Sequence, residues 1–234
     1  MAAVVDHFHL GSANIYTSID KLQKELKLGH YDGGFMSNVV IGHKAFPLNA
    51  GVYIEVESVI DPFAVPAGQE PDFQKKAELF GTEVFNGLCL RVDTMAELQD
   101  IAKRLGGIVN PHPSMRIRPD GPLNKSISAP QIPGAQPNFA QGLPQWYCWE
   151  DRMYRHPAGM PTVPLPGMRT PNGVEWIEMG GDEDRMGKWL GQDPKTLGMR
   201  FNGKKPGLYA IGIKTNEGVI ELRRPAVTQE TLEG

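Results

Sequence analysis

The chain has 234 residues, 40% of them hydrophobic and 22% charged, with a formal net charge of −3. These are the proportions of a soluble globular protein, and the slight acidity excludes nucleic acid as a main partner, because binding phosphate requires a basic surface. Two cysteines, Cys89 and Cys148, make neither a disulfide framework nor a C-x-x-C metal pair. No window approaches the roughly 18 apolar residues of a membrane span. The N-terminus lacks the charged start and apolar core of a signal peptide, so a reduced, cytoplasmic setting is expected, with no membrane partner.

In chain order, "AVVDHFHLGS" reads as a strand. "IYTSIDKLQKELKLG" reads as a helix, with Ile15, Ile19, Leu22 and Leu26 at helical spacing and Gly29 as its stop. "NVVIGHKAF" and "GVYIEVESVI" read as a hairpin turning through Pro47, Asn49 and Gly51. Residues 61–80, polar and Pro-rich, read as a surface connection. The same order restarts with the strand "FNGLCLRVD". A helix follows over "TMAELQDIAKRLGG", with a Thr94-x-x-Glu97 capping box, and then strands at "SMRIRPDG", "NKSISAP" and "LPQWYCWED". A third start at "VEWIEMGG" leads into a short helix capped by Asp182, then "LGMRF", "LYAIGIK" and "VIELRRP", the last two turning at Asn216-Glu217-Gly218.

Strand–helix–strands therefore occurs three times, in modules of about 4–60, 84–158 and 172–224 within a single domain, 1–234. The expected class is α+β: repeated βαβββ-type modules forming a cupped mixed or antiparallel sheet with helices on the outside. Alternate residues of each strand then line a concave surface.

His7 and His9 stand two residues apart and share one strand face, as do Glu55 and Glu57. If those strands are neighbours facing the cup, two imidazoles and two carboxylates converge. That set suits a divalent metal with N/O ligands or a metal-free acid–base pair; a solvent-facing polar surface is the plain alternative. Arg116 and Arg118 share a strand face and could fork onto a substrate carboxylate, enolate or phosphate, or lie exposed on an edge strand. Trp146 and Trp149 in "WYCW" suit core packing or the wall of an apolar pocket. His156 sits in a Pro/Gly-rich loop and is a candidate acid–base group. Asn38 would donate into the cup or cap a turn. His30, His43 and His112 have no clustered partner and are expected at the surface or in turns. No Walker spacing, no G-x-G-x-x-G after a strand and no G-x-S-x-G elbow is present, so a nucleotide cofactor and serine hydrolysis are disfavoured.

These pieces in their order, from "DHFHLGSANIYTSIDKLQKELKLG" through "YIEV", "CLRVDTMAELQDIAKRLG", "MRIRPDGP" and "LPQWYCWED" to "TPNGVEWIEM", resemble the glyoxalase-like domain family of the vicinal oxygen chelate (glyoxalase/bleomycin resistance/dioxygenase) superfamily. Its modules are βαβββ units paired into a cup. The resemblance implies an enzyme acting on a small oxygenated organic substrate, aromatic or carboxylate-bearing, by metal-assisted stabilisation of an enolate or phenolate. Isomerase, lyase or dioxygenase chemistry would fit; a metal-free acid–base enzyme or a non-catalytic sequestering protein remain open alternatives. Metal-using members take a ligand from a "D-H" pair on the opening strand and a carboxylate on the fourth. These match Asp6-His7 and Glu55, so His7 and Glu55 are the implied ligands for Zn, Mn, Fe or Ni. The position matching His7 in the second module is Gly87, which offers no ligand. His9, Glu57 or His156 would then move a proton, Arg116 or Arg118 would hold an anionic end, and related folds allow a homodimer.

Overall fold

Alternation along the opening strand sends Phe8 and Leu10 to one face, where they are fully buried in the main apolar core, and His7 and His9 to the other. The computed structural model describes residues 3–36, 40–65, 71–119, 121, 123–149, 156–162 and 166–227. The first module comprises β1 (Val4–Gly11), α1 (Ile15–Leu26), β2 (Tyr31–Met36), β3 (Ile41–Pro47) and β4 (Tyr53–Val59). Asn14 caps α1 by accepting from the backbone amides of Tyr16 and Thr17. Asn49, Ala50 and Gly51 turn the β3–β4 hairpin with positive φ.

A helix, α2 (Asp72–Phe80), occupies part of the segment expected to be a plain connection. Its first turn follows Pro71, and its buried Phe73 and Ala77 pack with Ile41 and Val84 in a smaller core. The second module is β5 (Val84–Val92), α3 (Met95–Arg104), β6 (Ser114–Ile117), β7 (Leu123–Ala129) and β8 (Gln145–Trp149). The capping box of Thr94 and Glu97 is formed.

The two modules close one barrel in the order β1-β4-β3-β2-β6-β7-β8-β5. β1 and β5 pair antiparallel along their length, whereas the opposite seam, β2 on β6, is bridged at Phe35 and Ile117. Gly34 is required at that seam: its φ is +88°, and a Cβ there would overlap the Ile117 carbonyl. α1 and α3 cover the outside of the barrel, with Ile19, Leu22, Leu26, Leu98 and Ala102 buried against the outward faces of the strands. The expected α+β cup with outer helices is what the chain forms.

The third unit is β9 (Pro171–Gly180), α4 (Glu183–Leu190), β10 (Met199–Phe201), β11 (Gly207–Thr215) and β12 (Gly218–Arg223). It has the expected chain order but a different sheet. Its strand order is β10-β9-β11-β12, whereas the first module runs β1-β4-β3-β2. The strand after the helix thus lies beside the first strand, not at the far edge, a distinction that element order does not encode. Ile177, Met179, Ile211, Ile213 and Leu222 on one face of this sheet join the main core, so the unit buttresses the barrel from outside. No helix among the described residues is long and apolar enough to cross a membrane.

Candidate functional site

The barrel interior is polar. β4 sends Ile54 and Val56 outward into the core and Tyr53, Glu55 and Glu57 inward, all buried. Register places His9 opposite Glu55 across β1 and β4, and His43 opposite Glu57 across β3 and β4. Arg116 on β6 and Arg118 just beyond its end are both 5% exposed, and the ion pair of Arg116 with Glu55 places it on the inner face.

Glu55 is the centre of the cluster. Its carboxylate lies 3.4 Å from His7 Nε2, 3.4 Å from His43 Nδ1 and 2.6 Å from Arg116 Nη1. The short contact to Arg116 is an ion pair without hydrogen-bond alignment. His9 Nε2 meets Glu57 Oε2 at 2.5 Å, and Arg116 Nη2 lies 3.7 Å from the other Glu57 oxygen. Burial pulls the His9 pKa down, but the Glu57 carboxylate, with Glu55 behind it, reverses this and leaves it raised. The same pair acts on Glu57: burial pushes its carboxyl up, and His9 and Arg116 together bring it to about 2. His43 goes the other way, because burial and the Arg116 charge both push its pKa well below the usual value, so it is neutral. Burial opposes the Arg116 charge, yet Glu55 and its neighbours hold the guanidinium firmly protonated.

A second group closes one end of the barrel around Asp6. Its carboxylate accepts from His7 Nδ1 at 2.6 Å, His156 Nε2 at 2.9 Å, Trp149 Nε1 at 3.1 Å and Arg91 Nη1 at 3.3 Å. Burial alone would raise the Asp6 pKa; the His156 and His7 contacts overcome it and set it far below the carboxylate range. Asp6 therefore fixes the His7 tautomer, with Nε2 turned to the interior. His7 also stacks on Tyr53, ring centres 4.7 Å apart.

The sequence-derived candidates separate accordingly. His7, His9, Glu55, Glu57 and Arg116 converge in the barrel. Arg118 faces inward beside them and donates to Met160 Sδ at 3.1 Å. Trp149 reaches the interior too, with the Arg116 guanidinium 6.0 Å from its ring. His156 does not have a free nitrogen for proton transfer: Nδ1 accepts from the Ala158 amide and Nε2 donates to Asp6, so it acts as a buried structural clasp. Trp146 faces the other way, into the core under the helices, because alternation along β8 puts it with Cys148 and opposite Tyr147 and Trp149. Asn38 lies outside the described residues. His43, expected at the surface, is 2% exposed and inside the site. Only the β3–β4 register, which no local pattern announces, brings it there. Tyr53 shares the face of Glu55 and Glu57, and Tyr147 that of Trp149, by plain alternation, but residue type alone does not single them out.

The donors that could hold a cation are His9, Glu55 and Glu57, whose ligand atoms all lie within 4.8 Å of one another. His9 stands in this set in place of the expected His7; Asp6 holds only His7 Nδ1, and His7 Nε2 still faces Glu55 at 3.4 Å, so His7 stays a candidate beside it. An imidazole with two carboxylates suits a divalent ion of N/O preference. The buried polar atoms that lack a hydrogen bond fit as well: both His43 ring nitrogens, Arg116 Nε and the Tyr53 hydroxyl, with Glu55 Oε1 and Arg116 Nη1 joined as an ion pair. Admitting an ion requires His9 and Glu57 to part, since they now bond each other.

The barrel of paired βαβββ modules is consistent with the vicinal oxygen chelate fold. No protein-family model matches the chain, and no curated protein matches it. Among solved structures, a hypothetical protein from Staphylococcus aureus aligns over 96% of this chain and 86% of its own, at 13% identity and a TM-score of 0.54. Methylmalonyl-CoA epimerase from Mycobacterium tuberculosis aligns over 62% of this chain and 86% of its own, at 12% identity and a TM-score of 0.42. A variant of Streptomyces coelicolor methylmalonyl-CoA epimerase, in complex with 2-nitronate-propionyl-CoA, aligns over 64% of this chain and 100% of its own, at 11% identity and a TM-score of 0.44. The likeness to the S. aureus protein is one of fold.

Proposed function

We propose that the chain is an enzyme of vicinal oxygen chelate type, acting inside the barrel on a small anionic, oxygen-bearing organic substrate. The observation that supports this best is the gathering of buried polar atoms without a hydrogen bond around the Glu55–Arg116 ion pair. A folded protein leaves such groups unsatisfied at a cost of about 1–3 kcal/mol each, which a substrate or cation in the barrel would remove. His9, Glu55 and Glu57 would hold a divalent cation, which supplies Lewis-acid polarisation of two adjacent substrate oxygens.

Charge favours an anion. With a neutral His9 ligand, two carboxylates, a divalent cation and Arg116 leave one net positive charge in a buried space. Arg116, with Arg118 beside it, holds the anionic end. His43, neutral, without a hydrogen bond on either nitrogen and with Nδ1 3.4 Å from Glu55, accepts the proton as an enolate or phenolate develops, and Trp149 walls the space. Isomerase, lyase and dioxygenase chemistry share this first step.

A second reading, a metal-free acid–base enzyme, is supported by the contacts as they stand: His9 bonds Glu57 and Arg116 pairs with Glu55, so the cluster holds together without a cation. Elemental analysis separates the two. Purified wild type should contain near-stoichiometric Zn, Mn, Fe or Ni, lost in His9→Ala and Glu57→Gln but retained in His156→Ala. Wild type that neither carries nor takes up metal overturns the metal reading and leaves the acid–base one. Tight stoichiometric ligand binding with no product would instead mark a sequestering protein.

A further inference from the structure

Beside the barrel interior lies a cavity of about 640 Å³, between the 130–139 loop, residues 108–110 and the inner side of β7 and β8. Two of its walls are shared with the site. Tyr147 lines it and sits 5.4 Å, ring to ring, from His7; Phe139 lines it and stacks on His9 at 5.9 Å. The cavity thus runs from the exposed loop to within one ring of both histidines.

Its chemistry is unlike that of the interior. Among the described residues lining it there is no Asp, Glu, Lys, Arg or His. The polar lining is carboxamide and hydroxyl, including Asn110, Ser128, Gln131 and Gln145, set among prolines and the two rings. Two of the carboxamides are oriented by neighbours. Gln145 Oε1 accepts from Asn138 at 2.5 Å, and Asn110 Oδ1 accepts from the His112 amide at 3.0 Å. With their oxygens engaged, what both have left to offer a guest is the amide N–H. A carboxylate or phosphate in this cavity would be desolvated without a cation, whereas an apolar or oxygen-bearing neutral group would be accommodated.

We infer that the substrate has two parts: a compact anionic head for the Glu55–Arg116 site, and an uncharged arm, apolar with hydrogen-bond-accepting oxygen tolerated, that lies in this cavity. The inference rests on the proposed reading of the barrel site, and the test distinguishes the two. Binding of three 2-oxo acids sharing one head is measured by calorimetry: 2-oxobutanoate with no arm, 4-phenyl-2-oxobutanoate with an uncharged arm, and 2-oxoglutarate with an anionic one. Burying a phenyl ring is expected to make the phenyl compound bind roughly tenfold tighter or more than 2-oxobutanoate, while 2-oxoglutarate gains nothing. Gln131 is exposed at the rim, so Gln131→Lys, checked by its melting temperature, should fold and should move the preference toward 2-oxoglutarate.

Arg116→Lys reports on the head, and weakens all three compounds alike if the head reading holds. Equal affinity for the phenyl compound and 2-oxobutanoate, with Arg116 still required, overturns the arm and spares the head. Tightest binding of 2-oxoglutarate by wild type overturns the arm too. Failure of all three to bind wild type overturns both.

Discussion

On the interior face of the first module, β1 and β4 carry His7, His9, Glu55 and Glu57; at the matching positions of the second, β5 and β8 carry Gly87, Cys89, Gln145 and Tyr147. The match follows from the registers, in which His9 pairs with Glu55 and Cys89 with Gln145, both in parallel pairs. One module thus holds every carboxylate and most of the imidazole near Glu55, while the other contributes Arg116, Arg118 and an uncharged wall. Duplicated frames do not need duplicated chemistry. Backbone hydrogen bonding and the apolar outer faces keep the barrel intact, and the inward positions are free to differ.

The sharpest way to break this division is Glu55→Gln, which makes the first module read like the second at that position. Arg116 would then face only Glu57, at 3.7 Å. Stranding one partner of a buried ion pair costs about 3–5 kcal/mol. Urea unfolding at pH 7 should show a loss of that size, together with loss of bound metal. An unchanged midpoint would mean that Glu57 and water compensate, and that Glu55 is not the centre of the site.

Asp6 tests the other end of the first module. Asp6→Asn keeps one acceptor oxygen but removes the charge that His7, His156, Trp149 and Arg91 share; about 2–3 kcal/mol is expected to be lost. The pH dependence has a definite sign. Burial raises the Asp6 carboxyl, the His156 and His7 contacts lower it further, and the net shift is downward from 3.8. Its stabilisation is therefore present above pH 4 and fades as the pH falls below that. Below about pH 4, wild type should lose stability more steeply than Asp6→Asn. Parallel curves would count against the clasp.

Gly87→Ala gives the second module a side chain where the first has His7. A Cβ there overlaps the Phe139 ring, which also stacks on His9. Overpacking of this kind costs about 1–3 kcal/mol, and here it should shift Phe139 away from His9. Quenched metal uptake with little change in secondary structure is the expected signature by circular dichroism and metal titration.

How much of this is legible without the fold follows the same contrast. Strands whose alternation is clean, such as β1, β4 and β5, can be read with their faces, as can α1, α3 and α4 from spacing and caps. β2 is hidden because Gly33 and Gly34 look like a turn, although Gly34 is what lets β2 meet β6. α2 is hidden because its sequence follows a Pro-rich run. Within the site, parity correctly pairs His7 with His9 and Arg116 with Arg118. It does not say that His43 stands opposite Glu57, since register depends on the β3–β4 turn and not on either strand alone. The place of His9 beside Glu55 and Glu57 as a candidate cation ligand depends on the β1–β4 register, which is likewise invisible until the chain is folded. Trp146 shows the converse failure, where residue type suggests a pocket and parity already places it on the opposite face from Trp149.

The third unit supplies the weakest and last test, because its ion pairs lie in water. On the outer face of its sheet, Arg223 makes a paired contact to Glu178, at 2.7 and 2.8 Å, and Asn202 donates to the same carboxylate. The Arg223 hydrogen bonds outweigh partial burial and bring the Glu178 carboxyl from 4.5 to about 2. The arginine side chain is 46% exposed, so solvent screens the pair. Arg223→Ala should therefore cost at most about 1 kcal/mol at low salt and less as salt rises. The contribution is present above pH 4.5 and lost as the pH falls toward 2. Because the unit meets the barrel through Ile177, Ile211 and Leu222 on its opposite face, metal content and binding in the barrel should not change. A variant that did alter them would show that the outer sheet does more than cover the core.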